Sequence, residues 1–259
     1  MRMMKKVLGT VTVLALSVSL LAGCGSTAAS PVSSAASTAA ESTTSSVVSE
    51  ATSAAADENA AAAAQLLNDL TGSYQELWPV ILADEYKQTW LDDCTALVGE
   101  DNAEAAFEKL SSMVTGDVYG EDAVKAYANG GGAYFCGFTN DLATLTFDGG
   151  TSTISGTDKD GNELFSHPYH YIGMEPVRGL YEFESDDADS GEFTYFFLAP
   201  DTSAETYHIE FRYGSDADAL SQYDAGDYAY WLASGISTDC DQTMIDNCIE
   251  LFCTENLAG

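Results

Sequence analysis

A histidine and a carboxylate stand two residues apart in the segment Glu205–Gly214. Aromatic and β-branched residues alternate there with polar ones, which predicts a half-buried strand. On such a strand His208 and Glu210 project from the same face. An imidazole and a carboxylate both suit a borderline metal such as zinc. The alternative is a solvated face on which Glu210 forms a salt bridge with Arg212.

The other two of the three histidines, His167 and His170, belong to another predicted strand segment. Residues three apart on a strand face opposite sides, so at most one of them should share a face with His208, unless Pro168 breaks the alternation. A metal site would then combine His208, His170 or His167, Glu210, and a water or another carboxylate. Such a site should weaken below about pH 6, because imidazole binds metal only when neutral. The alternative is a hydrogen-bonded histidine pair near an edge strand.

The first 24 residues resemble a bacterial lipoprotein signal. Three basic residues precede the apolar run Val7–Leu21, which is too short for a comfortable membrane span. Leu21–Cys24 then matches a lipobox, so residues 1–23 should be removed and Cys24 lipidated. The protein is therefore expected on the extracytoplasmic face of the cell membrane, held only by its lipid anchor. An ordinary signal peptide followed by a chance cysteine is the alternative.

The chain is strongly acidic, with a formal charge of −32. Without the predicted signal peptide, 6 basic residues stand against 41 acidic ones, a charge of −35. Such a surface repels nucleic acid and anionic headgroups and attracts cations. Solubility in a salty extracellular medium explains this charge better than a specific role does. The chain lacks a Gly-x-Ser-x-Gly elbow, a His-Glu-x-x-His motif and a phosphate-binding glycine loop, so we do not expect an enzyme.

Five cysteines remain after Cys24: Cys94, Cys136, Cys240, Cys248 and Cys253. An odd number outside the cell leaves at least one thiol unpaired within the chain. The last three lie in one segment and could bind metal. One or two disulfides are the favoured expectation, with Cys94 or Cys136 as candidate partners and the pairing left open.

Residue composition and hydrophobic periodicity divide the predicted mature chain into two parts. Residues 24–64 are rich in Ser, Thr and Ala, which predicts a disordered tether whose alanine run Ala60–Ala64 leads into a first helix. Residues 65–259 form the predicted domain. Helical periodicity runs to about Ala128, and Ala217–Tyr223 and Thr238–Thr254 are further predicted helices.

Short strands separated by tight turns fill the middle of this domain and favour an antiparallel meander that closes as a barrel. The candidates are Ala133–Phe138, Leu142–Phe147, Ser152–Ser155, Glu163–Phe165, Tyr169–Ile172, Gly179–Glu184, Phe193–Leu198 and Thr206–Tyr213.

Four pieces in order resemble the ZinT (YodA) family, also found as the C-terminal domain of AdcA-type zinc lipoproteins. They are a predicted helix over Gly72–Pro79, the strand Val177–Phe183, Leu198-Ala199-Pro200, and Tyr207–Asp216. The resemblance spans roughly Leu66 to Leu257 and is strongest around His208. It implies a mainly β, lipocalin-like (calycin) barrel with N-terminal helices and a C-terminal helix. It also implies zinc binding outside the cytoplasm in support of zinc uptake.

The family's metal ligands are three histidines, and this chain matches one of them. The first position is Phe196, and the His-x-His pair falls on Thr206 and His208 if one residue is inserted after Pro200. The sequence therefore predicts an extracytoplasmic, lipid-anchored protein that binds a divalent metal and serves an importer, which could be an ABC transporter. The alternative is a diverged barrel that has lost the metal and binds a small organic ligand or a surface partner.

Overall fold

A computed structural model describes residues 58–116, 118–132, 134–200 and 208–258. The predicted signal peptide, the predicted lipidation site Cys24 and the predicted tether up to residue 57 lie outside these residues. The alanine run before Gln65 is helical, as expected, since a helix covers residues 58–69. Within the described ranges, none of the helices has the length and apolar character needed to cross a bilayer.

Eight antiparallel strands close into a barrel in chain order. Each strand pairs with the next along the chain, and the first pairs with the last. They are β1 (Gly72–Glu76), β2 (Thr144–Asp148), β3 (Thr153–Thr157), β4 (Glu163–Met174), β5 (Tyr181–Ser185), β6 (Tyr195–Leu198), β7 (His208–Gly214) and β8 (Ala233–Ser237).

Among the described residues, one α-helix precedes β1, four lie between β1 and β2, one lies between β7 and β8, and one follows β8. They are α1 (58–69), α2 (Leu77–Ile81), α3 (Lys87–Val98), α4 (Ala103–Val114), α5 (Glu121–Ala128), α6 (Ala217–Leu220) and α7 (Gln242–Leu257). The Asp241 carboxylate accepts a hydrogen bond from the Met244 amide at 3.0 Å and caps α7, so this helix begins later than predicted. The predicted fold class, a closed antiparallel barrel with helices at both ends, is confirmed.

The two strands that close the barrel, β1 and β8, are missing from the sequence prediction. The predicted helix over Gly72–Pro79 is wrong for Gly72–Glu76, which is extended and pairs with both neighbours. Only one large apolar residue, Tyr74, lies in β1, so alternation cannot reveal it. β8 is Ala-Ser-Gly-Ile-Ser, and a Cβ on Gly235 would approach the Ile209 side chain to 3.1 Å. The side chains of Ile209 and Phe138 therefore occupy the space beside Gly235.

The predicted strand Ala133–Phe138 is also wrong. Phe135 forms only isolated bridges, to Thr115 and to Trp231, and position 133 lies outside the described residues. The two candidates Glu163–Phe165 and Tyr169–Ile172 are parts of the single long strand β4. Its burial alternates through Pro168, whose missing N–H does not interrupt the strand.

Two apolar clusters lie on opposite sides of the barrel wall. The inner one is aromatic, and the Phe196 ring lies 5.4 Å from the rings of both Tyr169 and Tyr213 and 5.8 Å from that of Phe165. The outer cluster joins Ile236 of β8 to residues of α2, α3, α4 and α7. Aromatic packing thus fills the inside of the barrel around Phe196, whereas helices cover the outside at β8.

Candidate functional site

The side chains of β7 alternate between the two sides of the barrel wall, as predicted. Ile209, Phe211 and Tyr213 belong to the inner aromatic cluster and are at most 1% exposed. His208 pairs in register with Ile236, and Glu210 pairs with Ser234, so both project from the outer side. The predicted pair therefore faces the flanking helices and not the barrel interior.

A small pocket of about 70 Å³ lies where β7, α2 and α7 meet. His208 and Glu210 form the strand side of the pocket, and Cys248 and Glu255 belong to the helix side. The α7 residues recur at positions i, i+3, i+4 and i+7, which is one face of a helix. The lining consists of Leu77, Trp78, Ile81, His208, Glu210, Cys248, Leu251, Phe252 and Glu255. Four side chains that can act as metal ligands thus border one pocket, hereafter the His208 pocket.

The thiol of this pocket is held in its protonated form. Burial raises the pKa of Cys248 to about 12, and the negative charges of Glu210 and Glu255 add to the effect. Those two carboxylates are therefore close enough for their charge to act on the thiol. At neutral pH a metal would bind Cys248 only by displacing its proton, so the imidazole and carboxylates are the readier ligands.

The structure separates the other two histidines from His208. His167 lies on the inner side of β4, in register with Ile154, and its Nδ1 is 2.8 Å from an Asp187 carboxylate oxygen. His170 lies on the outer side, where its Nδ1 is 2.7 Å from Asp186. The prediction that these two face opposite sides is confirmed. Each of these two imidazoles is hydrogen-bonded to its own aspartate. His167 and His170 therefore do not form the hydrogen-bonded histidine pair that was the alternative prediction.

The predicted combination of His208 with His170 or His167 is not assembled. β5 and β6 lie between β4 and β7 in the barrel, so the imidazoles belong to strands that are not neighbours. Of the predicted ligands, His208 and Glu210 share a pocket. Within the described ranges, no three His, Cys, Asp or Glu side chains are grouped closely enough to hold a metal ion.

The ligand set implied by the family resemblance is not formed on one face either. Phe196 pairs with Tyr213 and is fully buried inside the barrel, whereas His208 lies on the outer face. Thr206 lies outside the described residues. All four residues of β6 are apolar or aromatic, so its inner face could not be recognised from alternation.

Arg212 corrects the prediction of a solvated β7 face. It is fully buried, and its guanidinium donates hydrogen bonds to the backbone carbonyls of Leu220 and Tyr228. Burial lowers its pKa. The segment after β7 folds back over this end of the strand and covers it. The outer face of β7 is therefore enclosed here and not a charged surface in water.

A second cavity, of about 360 Å³, lies beside the outer face of β7 and was missed by the sequence analysis. It is lined by Arg178, Leu180, Ala199, Pro200, Glu210 and Leu232 and is called here the Arg178 cleft. One sequence signal could have indicated it. Arg178 and Arg212 are the only arginines after residue 2 of this acidic chain, and both lie against the ring of Tyr223.

Neither a family model nor a curated protein matches this chain. Among solved structures, the Zn(II)-bound ZinT-like domain of Streptococcus pneumoniae AdcA is similar at 15% identity and a TM-score of 0.45, covering 71% of this chain and 89% of that one. Zn(II)-bound AdcA from the same organism is similar at 14% identity and a TM-score of 0.42, covering 74% of this chain and 35% of that one. Both are proteins of the kind that the sequence resembles.

Proposed function

We propose that the protein is a lipid-anchored, extracytoplasmic binding protein whose cargo is a divalent metal ion, with zinc as the first candidate. The observation that carries this proposal is that His208, Glu210, Cys248 and Glu255 all line one pocket. Imidazole, carboxylate and thiolate are the three protein ligand types that zinc accepts. The site lies outside the barrel wall, beneath α7, and not in the aromatic interior.

A metal ion can bind in this pocket only if the candidate ligand side chains move closer to one another. Among the described residues, no three His, Cys, Asp or Glu side chains are already grouped around one point. Part of the binding free energy would therefore be used to bring the α7 side chains of the pocket into position. Glu255 is exposed near the end of α7. We therefore expect weaker and less selective binding than three preset imidazoles would give.

The rest of the chain supports capture of a cation outside the cell. The predicted lipid anchor and tether would hold the domain near the outer membrane surface, and the acidic charge would raise the local concentration of cations. Delivery to a metal-importing ABC transporter is the corresponding role.

Isothermal titration with zinc tests the proposal, using residues 24–259 with Cys24→Ser to prevent lipidation. We expect a dissociation constant below about 100 μM at pH 7.5. The affinity should fall below about pH 6, because the histidine must then lose a proton to bind.

His208→Ala should weaken binding at least tenfold, which is about 1.4 kcal/mol. His170→Ala is the matched control, because it removes another partly exposed imidazole with carboxylate neighbours and should leave the affinity unchanged. Binding that is absent below about 100 μM, or that is lost in His170→Ala and kept in His208→Ala, would overturn the proposal.

A further inference from the structure

The Arg178 cleft has opposite charges among otherwise apolar walls. Arg178 supplies a guanidinium and Glu210 a carboxylate, and Leu180, Ala199, Pro200 and Leu232 form the rest of the lining. Its volume of about 360 Å³ falls within the range of small-molecule sites. A cleft that has one cationic and one anionic group beside apolar residues is suited to a ligand that has both charges itself.

The Arg178 side chain is held in place although it is exposed. Its Nη2 donates a hydrogen bond to the Tyr134 hydroxyl at 2.8 Å, and its guanidinium carbon lies 4.7 Å from the centre of the Tyr223 ring. Cation–π contact and the hydrogen bond both restrict the rotation of this long side chain. Among the described residues Tyr134 is the acceptor for this guanidinium, which has five N–H groups in all.

The backbone beneath Arg178 is fixed by a buried carboxylate. Glu175 is fully buried, and its two oxygens accept hydrogen bonds from the amides of Val177 at 2.7 Å and Arg178 at 2.6 Å. Gly179, at a φ of 74°, closes this turn with a bond from its amide to the Glu175 carbonyl. A site whose charged residue stands on a rigid turn is preorganised for binding.

The neighbouring arginine is not available for a ligand. The Arg212 guanidinium also lies against the Tyr223 ring, 4.3 Å from its centre, but donates to backbone carbonyls. Arg178 is the arginine of this pair that lines the cleft, and an arginine can bind a carboxylate with two parallel hydrogen bonds.

We infer that the Arg178 cleft binds a small zwitterion, namely a free α-amino acid with an apolar side chain. The ligand carboxylate would contact Arg178, its ammonium group would contact Glu210, and its side chain would pack against Leu180 and Leu232. This site lies beside the His208 pocket and does not depend on the metal proposal. Because Glu210 lines both cavities, the experiment is done with EDTA present.

The test is titration calorimetry of the 24–259 chain with L-alanine, L-leucine, L-methionine and L-phenylalanine in turn. We expect at least one to bind with a dissociation constant below about 1 mM. The methyl ester of the best ligand lacks the carboxylate charge, and its N-acetyl derivative lacks the ammonium charge. Each should bind at least tenfold more weakly. If no amino acid binds, or if either derivative binds as well as its parent, the inference is overturned.

A pair of variants assigns the binding to the cleft. Arg178→Gln should weaken binding at least tenfold, because a charge-assisted hydrogen bond is lost. Lys159→Gln also removes one positive charge, but from another turn, where the lysine is 82% exposed and contacts Asp160. It should leave the amino-acid affinity unchanged. Equal effects of the two variants would overturn the inference. If Arg178→Gln proves unfolded by circular dichroism, the ester and N-acetyl comparison on the unaltered chain decides.

Discussion

Two cysteines from different helices are placed to form a disulfide. The sulfur atoms of Cys94 in α3 and Cys253 in α7 lie 3.9 Å apart in the outer core. Both are fully buried free thiols in the structure. In an oxidising compartment we predict that they join, each thiol losing one hydrogen to an oxidant such as oxidised glutathione. The sequence predicts one or two disulfides without fixing their pairing. Cys94 and Cys253 are the pair that the fold brings together.

The size of the effect follows from the separation of the two cysteines along the chain. They are 159 residues apart, so closing that loop lowers the entropy of the unfolded chain by an amount worth about 5 kcal/mol. A domain of this size shifts its melting temperature by about 2–4 °C per kcal/mol. The oxidised protein should therefore melt at least about 10 °C higher than the reduced one. Any strain that the disulfide introduces into the folded state would reduce this difference.

Thermal unfolding with and without dithiothreitol measures this difference, and peptide mapping of the alkylated protein identifies the bridge. Cys94→Ser should abolish the effect of the reductant, whereas Cys136→Ser should preserve it. The Cys94–Cys253 disulfide is refuted if all five thiols can still be alkylated in the unfolded protein after oxidation. It is equally refuted if Cys94 pairs with a cysteine other than Cys253.

Three further substitutions test the packing and the charges of the fold. Burial raises the pKa of Asp93, and Glu250 adds to it. The folded state thus holds this proton more tightly than the unfolded state, and stability should fall as the pH rises through the folded pKa. Asp93→Asn should therefore raise the melting temperature at pH 7.5 and flatten its decline with pH, unlike Asp92→Asn. Glu175→Ala should lower the free energy of unfolding in urea by about 2 kcal/mol, since two amides lose their acceptor. Phe196→Ala should cost about 3–5 kcal/mol in the same assay, because it empties the centre of the aromatic cluster.

The sequence predicted the barrel mainly through strands with a strong period of two. β7 is the clearest case, because Ile209 and Phe211 alternate with His208 and Glu210 and the structure divides them between the two sides of the wall. β1 and β8 could not be found this way. Their residues are mostly small or polar, and their strand conformation depends on pairing with distant neighbours.

The candidate site was predicted only in its strand half. Alternation placed His208 and Glu210 on one face, but it could not show that α7 would cover that face with Cys248 and Glu255. Spacing also separated His167 from His170 correctly, yet it could not show that β5 and β6 keep both away from β7. Long-range placement of this kind is set by the closure of the barrel, which no local pattern reveals.

The measurement that tests the His208 pocket most directly is anomalous scattering at the zinc edge from crystals of the 24–259 chain grown with zinc. Zinc bound in this pocket should give a peak about 2.0–2.2 Å from an imidazole nitrogen of His208 and from a carboxylate oxygen of Glu210. A zinc ion bound instead at His170 and Asp186, or no peak at either histidine, would contradict it.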